Sequence, residues 1–289
     1  MDGMRPATWT HARPGRWIAQ ATGATSHLPI ETLHLTNDGL HDTPAPLNQS
    51  IASPAHCGAD SGEYCAIWLG PEMPGDQRQD DALSVCFDSG PLDQQMDIVG
   101  APRLHLRLAC DKPQGQIAVR LNHIHPDGAS ARITYGVLNL SHRDSAEHPK
   151  AMTPGAATDI TLDLDHIAYR IPKGHRLRVS ISTAYWPLLW PAPEAAEVTL
   201  SSGHIDLPQR PTNGGDEYSF APPTSAAPWE TETLRPENHI RRQEIDRVTG
   251  NISLIIEDDF GKLRDADHGL IAGSIARETW TIHPDDPLS

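Results

Sequence analysis

Apolar and polar residues alternate with a period of two along much of this chain. Leu104, Leu106 and Leu108 alternate with Arg103, His105 and Arg107, and the same rhythm returns at Ile117, Val119 and Leu121. It recurs at Ile160, Leu162 and Leu164, at Leu177, Val179 and Ile181, and at Trp280 and Ile282. Successive side chains of a strand point to opposite faces, so each segment predicts a half-buried β-strand. Ile133 to Leu140 and Leu254 to Ile256 are more continuously apolar, as in strands covered on both faces. No comparable helical stretch is present.

The segments between these runs carry turn chemistry. Asp111-Lys-Pro-Gln-Gly115, Pro126-Asp-Gly128, Pro172-Lys-Gly174 and Thr249-Gly-Asn251 supply the fixed φ of proline or the positive φ that glycine tolerates. Short strands between such turns predict an all-β sandwich or jelly roll. With 26 prolines and 22 glycines the chain is also expected to carry long loops. Two stretches read as coil wrapped around the sandwich: Asn37 to Pro74, and the proline-rich span from Pro187 to Pro236.

Composition narrows the partners. The 289 residues suffice to bury roughly 75% of the unfolded chain's surface in a substantial core. Their 23 Lys and Arg against 38 Asp and Glu give a formal charge of −15, which repels phosphate backbones and anionic lipid. Neither nucleic acid nor a membrane is an expected partner. The first 30 residues hold no apolar run of signal-peptide type, and no stretch is long enough to span a bilayer. Cys57, Cys65, Cys86 and Cys110 form no C-x-x-C pair, which fits reduced thiols and a cytoplasmic location better than a disulfide framework. The acidic pairs Asp80-Asp81 and Asp258-Asp259 read as solvated surface.

No G-x-S-x-G elbow presents a serine nucleophile, and Ser61 and Ser89 lie in turn-like segments. G-x-x-x-x-G-K-[ST], G-x-G-x-x-G and H-E-x-x-H are absent as well, so no nucleotide cofactor or zinc-protease centre is implied. Metal binding has weaker candidates. His123 and His125 are two apart and share one face of a strand, with His142 and His148 further along the chain as conceivable partners. The bland alternative places His123 in solvent and His125 at the start of a turn. Cys57 with Cys65 is a conceivable zinc pair, and the loops around Asp76 to Asp81 and Asp258-Asp259 offer oxygens suited to calcium, without EF-hand spacing. Tyr185-Trp-Pro-Leu-Leu-Trp190-Pro sets Trp186 and Trp190 four residues apart. That segment reads as an aromatic platform for a sugar or a neighbouring domain, or as a loop anchoring itself on the sandwich edge.

Longer motifs carry a family resemblance. Pro74-Gly-Asp-Gln with Asp80-Asp81, Ser84-Val-Cys-Phe87-Asp-Ser-Gly-Pro-Leu92, Gly100-Ala-Pro, Val119-Arg-Leu, Pro126-Asp-Gly128 and Tyr135-Gly-Val-Leu-Asn-Leu-Ser-His-Arg143 follow one another at spacings that resemble a known domain. It is the C-terminal jelly-roll domain of X-Pro dipeptidyl-peptidase and cocaine-esterase-like serine hydrolases. Pro172 to Ser182 and Ala266-Asp-His-Gly match more loosely, and Arg13-Pro-Gly-Arg-Trp17 resembles the family's entry into the sandwich. Ala21 to Pro29 departs from it, because relatives tend to carry a Trp-Pro pair there.

The resemblance implies a galactose-binding-domain-like jelly roll over residues 37–289, preceded by a segment, 1–36, that follows an α/β-hydrolase domain. That catalytic domain would hold the serine, aspartate and histidine, none of which maps onto this chain. The resemblance also implies packing against it, a share in walling the acyl pocket, and homo-oligomer contacts. Ile282 to Ser289 resembles a mid-protein segment, so a piece of a longer polypeptide is expected. Two other readings use the same scaffold: a carbohydrate-binding module resting on Trp186 and Trp190, and a metal-dependent double-stranded β-helix enzyme resting on His123 and His125.

Overall fold

A computed structural model describes residues 15–19, 28–66, 72–211 and 217–286. The architecture is an antiparallel all-β sandwich with a further sheet appended after it. In the larger sheet the strand order is β2 (Gly39–His41), β1 (Ile30–Thr36), β12 (Val198–Pro208), β6 (Arg103–Cys110) and β9 (Thr158–Asp163), with β3 (Gln49–Ile51) also pairing β12. The facing sheet runs β4 (Val85–Asp88), β11 (Arg176–Ser182), β7 (Gln116–Ile124) and β8 (Ser130–Asn139). A two-stranded sheet of β5 (Met96–Gly100) and β10 (Ile167–Ile171) accompanies them.

The alternation seen in the sequence has its expected cause. Leu104, Leu106 and Leu108 of β6 meet Ile117, Val119 and Leu121 of β7 and Leu177, Val179 and Ile181 of β11 in one core cluster. Each such side chain removed from water contributes about 2 kcal/mol, which fixes the register, since a one-residue slip would turn the whole set outward. Helix is limited to α1 (Arg78–Asp81) and a 3₁₀ turn at Leu140–His142 among the described residues. None of these residues forms a helix long and apolar enough to cross a membrane.

Three expectations need correction; the first is Asn37 to Pro74, which is not all coil because β2 and β3 lie within it. The span from Pro187 to Pro236 is not all coil, because β12 runs for 11 residues through the middle of the larger sheet. Its prolines cluster before Glu194 and from Pro208 onward, leaving a proline-free stretch whose N–H groups complete the ladder. Likewise β1 lies inside the segment assigned to a linker, yet it pairs with both β12 and β2 and buries Leu33 and Leu35. The departure at Ala21 to Pro29 falls mostly outside the described residues.

The appended sheet comprises β13 (Thr231–Arg235), β14 (Asn238–Ile245), β15 (Ile252–Asp265) and β16 (Ile271–Ile282), with β15 central. Leu254, Ile256 and Ile282 pack on Trp186, Ala55 and Ala59, which joins this sheet to the sandwich through a small second cluster.

Candidate functional site

The acidic motif singled out in the sequence builds the most elaborate polar arrangement of the molecule. Gln77 ties the loop down: its backbone N–H donates to the Ser130 carbonyl at 2.9 Å, and its side chain donates to the Asp60 and Gly75 carbonyls. α1 then carries Asp80 and Asp81 inward, where they are only 2% and 5% exposed. The reading of this pair as solvated surface is overturned. The β7 strand explains why, since its two faces are both covered: Ile117, Val119 and Leu121 fill the sandwich core, while Ala118, Arg120 and Asn122 cover the loop.

Arg120, fully buried, lies 3.3 Å from Asp81 and 3.7 Å from Asp80, and donates to Ser84 Oγ at 2.6 Å and to the Asp80 carbonyl at 3.2 Å. Asp80 accepts the backbone N–H groups of Gly58 and Asp60 at 2.8 and 3.1 Å. Asp81 accepts from Ser130 and Ser180 hydroxyls, from Asn122 Nδ2 and from Arg178 at 2.7, 2.8, 3.0 and 3.0 Å. Arg178 also holds Asp88 through two hydrogen bonds at 2.6 and 2.8 Å, so three carboxylates share two guanidinium groups, and every oxygen of Asp80 and Asp81 is engaged. Because the oxygens of Asp80 and Asp81 are occupied by protein donors, the pair serves as an anchor for the Asp76 to Asp81 loop. Burial raises the Asp80 pKa, opposed by Arg120 and the two backbone donors.

Around this anchor the loop of residues 55–63 is held against Tyr185 and Trp186. Gly58 has φ +111°, and a Cβ there would lie 2.7 Å from the Trp186 nitrogen, so only glycine permits the approach that lets the Trp186 N–H reach the Cys57 carbonyl at 2.7 Å. Asp60 sits at the edge of the network. Desolvation, with Asp80 as a second cause and Arg241 opposing, pushes its pKa up to about 6. Its Oδ2 has no hydrogen-bond partner among the described residues.

The aromatic candidates separate. Tyr185 and Trp186 are 0% exposed, whereas Trp190 is 51% exposed. The Tyr185 hydroxyl receives a hydrogen bond from Arg132, and its ring lies under Arg120. A sugar cannot stack on an indole that is sealed, so no platform exists across Trp186 and Trp190. Trp186 instead receives the appended sheet.

The histidine candidates do come together, with a partner the sequence did not suggest. Register pairs Leu177 with His123 and Arg176 with Ile124, so His175 falls opposite His125 on the face that also carries His123. His123 is buried, not in solvent; its Nε2 is 2.7 Å from His175 Nδ1 and its Nδ1 is 2.9 Å from the Tyr169 hydroxyl. The three ligand atoms lie within 4.8 Å of one another. Two ligands of a tetrahedral zinc stand about 3.4 Å apart, so the 2.7 Å contact is a shared proton. His142 bonds the Ser145 carbonyl and His148 pairs with Glu147, away from this trio. Cys57 is buried, with its thiol pushed up to about 11 by burial, while Cys65 is exposed, and no cysteine joins a metal-ligating group among the described residues. Asp258 pairs with His239 and Asp259 with Arg235.

The described residues form an antiparallel β-sandwich in which the buried pair Asp80 and Asp81, with Arg120 and Arg178, fastens one loop to the back of a sheet. The chain belongs to the family of X-Pro dipeptidyl-peptidase C-terminal non-catalytic domains, which it matches over residues 3–223. A Mycobacterium bovis protein that carries the name serine esterase is 26% identical over 156 residues, covering 46% of this chain and 25% of that protein. The cocaine esterase of a Rhodococcus species is 22% identical over 122 residues, 41% of this chain and 21% of the esterase. A solved α-amino acid ester hydrolase shares the fold, with a TM-score of 0.55 and 18% identity over 62% of this chain and 36% of the hydrolase. The matched stretches therefore span about a quarter of the curated relatives' length.

The family motifs hold Arg120 in Val119-Arg-Leu121 and Arg178 in Pro172 to Ser182, but sequence reasoning did not join either of them to Asp80 and Asp81, whose network they complete. The available signal was Arg120 itself, a cation in the middle of the run Ile117-Ala-Val-Arg-Leu-Asn122. Such a residue in a doubly covered strand requires a buried anion.

Proposed function

We propose that this domain packs against an α/β-hydrolase catalytic domain and forms part of the wall around its acyl pocket, in an enzyme that cleaves esters of small acyl groups. The carrying observation is family membership over the whole sandwich in a chain whose sequence holds no nucleophile elbow. The names of the two curated relatives favour ester over peptide substrates. In such an enzyme a serine attacks the acyl carbon with a histidine as base, the alcohol departs, and water releases the acyl group while backbone donors hold the oxyanion. Every one of those groups comes from the catalytic partner, and this domain contributes shape and rigidity.

A fluorophosphonate probe and a 4-nitrophenyl ester test the reading. The 289-residue chain alone is expected to take no label and release no nitrophenol. The α/β-hydrolase domain encoded with it is expected to co-elute with it and to hydrolyse the ester faster in its presence. Stoichiometric labelling of a serine in this chain, or a catalytic domain indifferent to it, would overturn the proposal.

A further inference from the structure

A second group of histidines, interleaved with the first along the chain, lies on the outer face of the larger sheet. The register sets His41 of β2 opposite His34 of β1, His34 opposite His204 of β12, and His204 opposite His105 of β6. Thr161 of β9 is opposite His105. Directly opposed residues of antiparallel strands share a face, so four histidines form one row across four strands. His105 and His204 stack at 4.6 Å between ring centroids, 18° from parallel, and His34 leans on His204 at 5.7 Å. Asp206, two positions beyond His204, returns to the same face.

Ligand atoms of His105, His204 and Asp206 lie within 4.8 Å of one another, and His105 Nε2 is 3.6 Å from Asp206 Oδ2. That separation is close to the edge of about 3.4 Å expected between two ligands of a tetrahedral zinc. It is the spacing that the His123 and His175 pair lacks. The ligands are also oriented from behind. Thr161 Oγ1 is 3.2 Å from His105 Nδ1, where it can accept a hydrogen bond from the Nδ1–H and leave Nε2, 3.6 Å from Asp206 Oδ2, as the unprotonated ring nitrogen. The Thr32 hydroxyl donates to Asp206 Oδ1 at 2.6 Å, leaving Oδ2 free for a cation. The row opens into a cleft of about 340 Å³ lined by His34, His105 and His204 together with Pro44 and Ala45. The cleft gives access and room for solvent ligands.

We propose that His105, His204 and Asp206 bind a divalent late first-row metal ion, zinc, nickel or copper, with His34 beside the open coordination positions. Imidazole and carboxylate donors suit these ions. A bound ion ties β6 to β12 at the centre of the sheet, and binding to the folded state alone raises its thermal stability. The formal charge of −15 favours cation capture.

Isothermal titration of the untagged chain with zinc, nickel or copper chloride tests the site, with circular dichroism to confirm that each variant folds. One equivalent is expected to bind and to raise Tm. H105Q and H204N are each expected to weaken binding by at least about tenfold. T161V, which removes no ligand, is expected to weaken it by about tenfold through the lost ring orientation. Copper bound to the wild type should show coupling to at least two imidazole nitrogens by electron paramagnetic resonance, with one fewer in H204N. No binding by the folded chain, affinity unchanged in H105Q and H204N, or a loss confined to H123Q would overturn the proposal.

Discussion

The sandwich and the appended sheet are both antiparallel and both interrupted by register shifts, yet they are held in different ways. The sandwich buries a core drawn from both of its sheets, and the polar network of Asp80, Asp81, Arg120 and Arg178 fastens a loop across the back of β7. In the appended sheet β15 and β16 pair from Ile252–Ile282 to Arg264–Ile271, but every residue of β16 before Ile282 is exposed. Its buried apolar side chains are few: Ile252, and the Leu254, Ile256 and Ile282 that reach Trp186, Ala55 and Ala59. The family match ends at residue 223, before this sheet begins. Regular hydrogen bonding does not by itself make a core: a ladder exchanges water partners for backbone partners at small net gain, whereas stability follows apolar surface removed from water.

Arg120→Leu should give the largest effect and break the sandwich. It leaves Asp80 and Asp81 short of their buried counter-charge, at a cost of about 4 kcal/mol. Denaturant unfolding followed by tryptophan fluorescence would read it, and a loss below about 1 kcal/mol would show that the network contributes little. Trp186→Ala should cost about 3 kcal/mol, and it tests whether the two regions are separable. Hydrogen exchange is expected to accelerate in β14, β15 and β16 while β6, β7 and β11 keep their protection. Equal acceleration everywhere would mean one cooperative unit.

Asp60 sharpens the comparison at the seam, where Arg241 of β14 meets Glu63 of the loop. Its carboxyl titrates at about 6 in the fold against 3.8 for the free group, so the folded state keeps a proton that the unfolded chain has released. Stability from this group is therefore greatest at low pH and declines as pH rises from about 4 to about 6. Asp60→Asn carries no charge to desolvate, so it should raise Tm by a few degrees at pH 8, with the gain vanishing below pH 4. A Tm difference independent of pH would assign the effect to packing.

Much of the sandwich was legible from local pattern. The period-two runs at Leu104 to Leu108, Ile117 to Leu121 and Leu177 to Ile181 are strands with those faces inward, because alternation is a property of neighbouring residues. The acidic motif was legible as a landmark and misread as a surface, since burial of Asp80 and Asp81 depends on Arg120 and Arg178, about 40 to 100 positions away. β12 was hidden by averaging proline over too wide a span. Trp186 and Trp190 looked equivalent four residues apart, and the distant segments that bring Ala55, Ala59, Leu254, Ile256 and Ile282 onto Trp186 distinguish them.

The sequence by itself determined that this chain is all-β, which segments form the principal strands, that no serine elbow is present and which family the motifs belong to. The tertiary structure decided what those motifs are for. Only strand register sets His34, His105 and His204 side by side across three strands, and only the packing of α1 behind β7 turns two acidic residues into a buried anchor. Contacts of this kind join positions that no local window contains together, so their chemistry exists only once the chain has closed on itself.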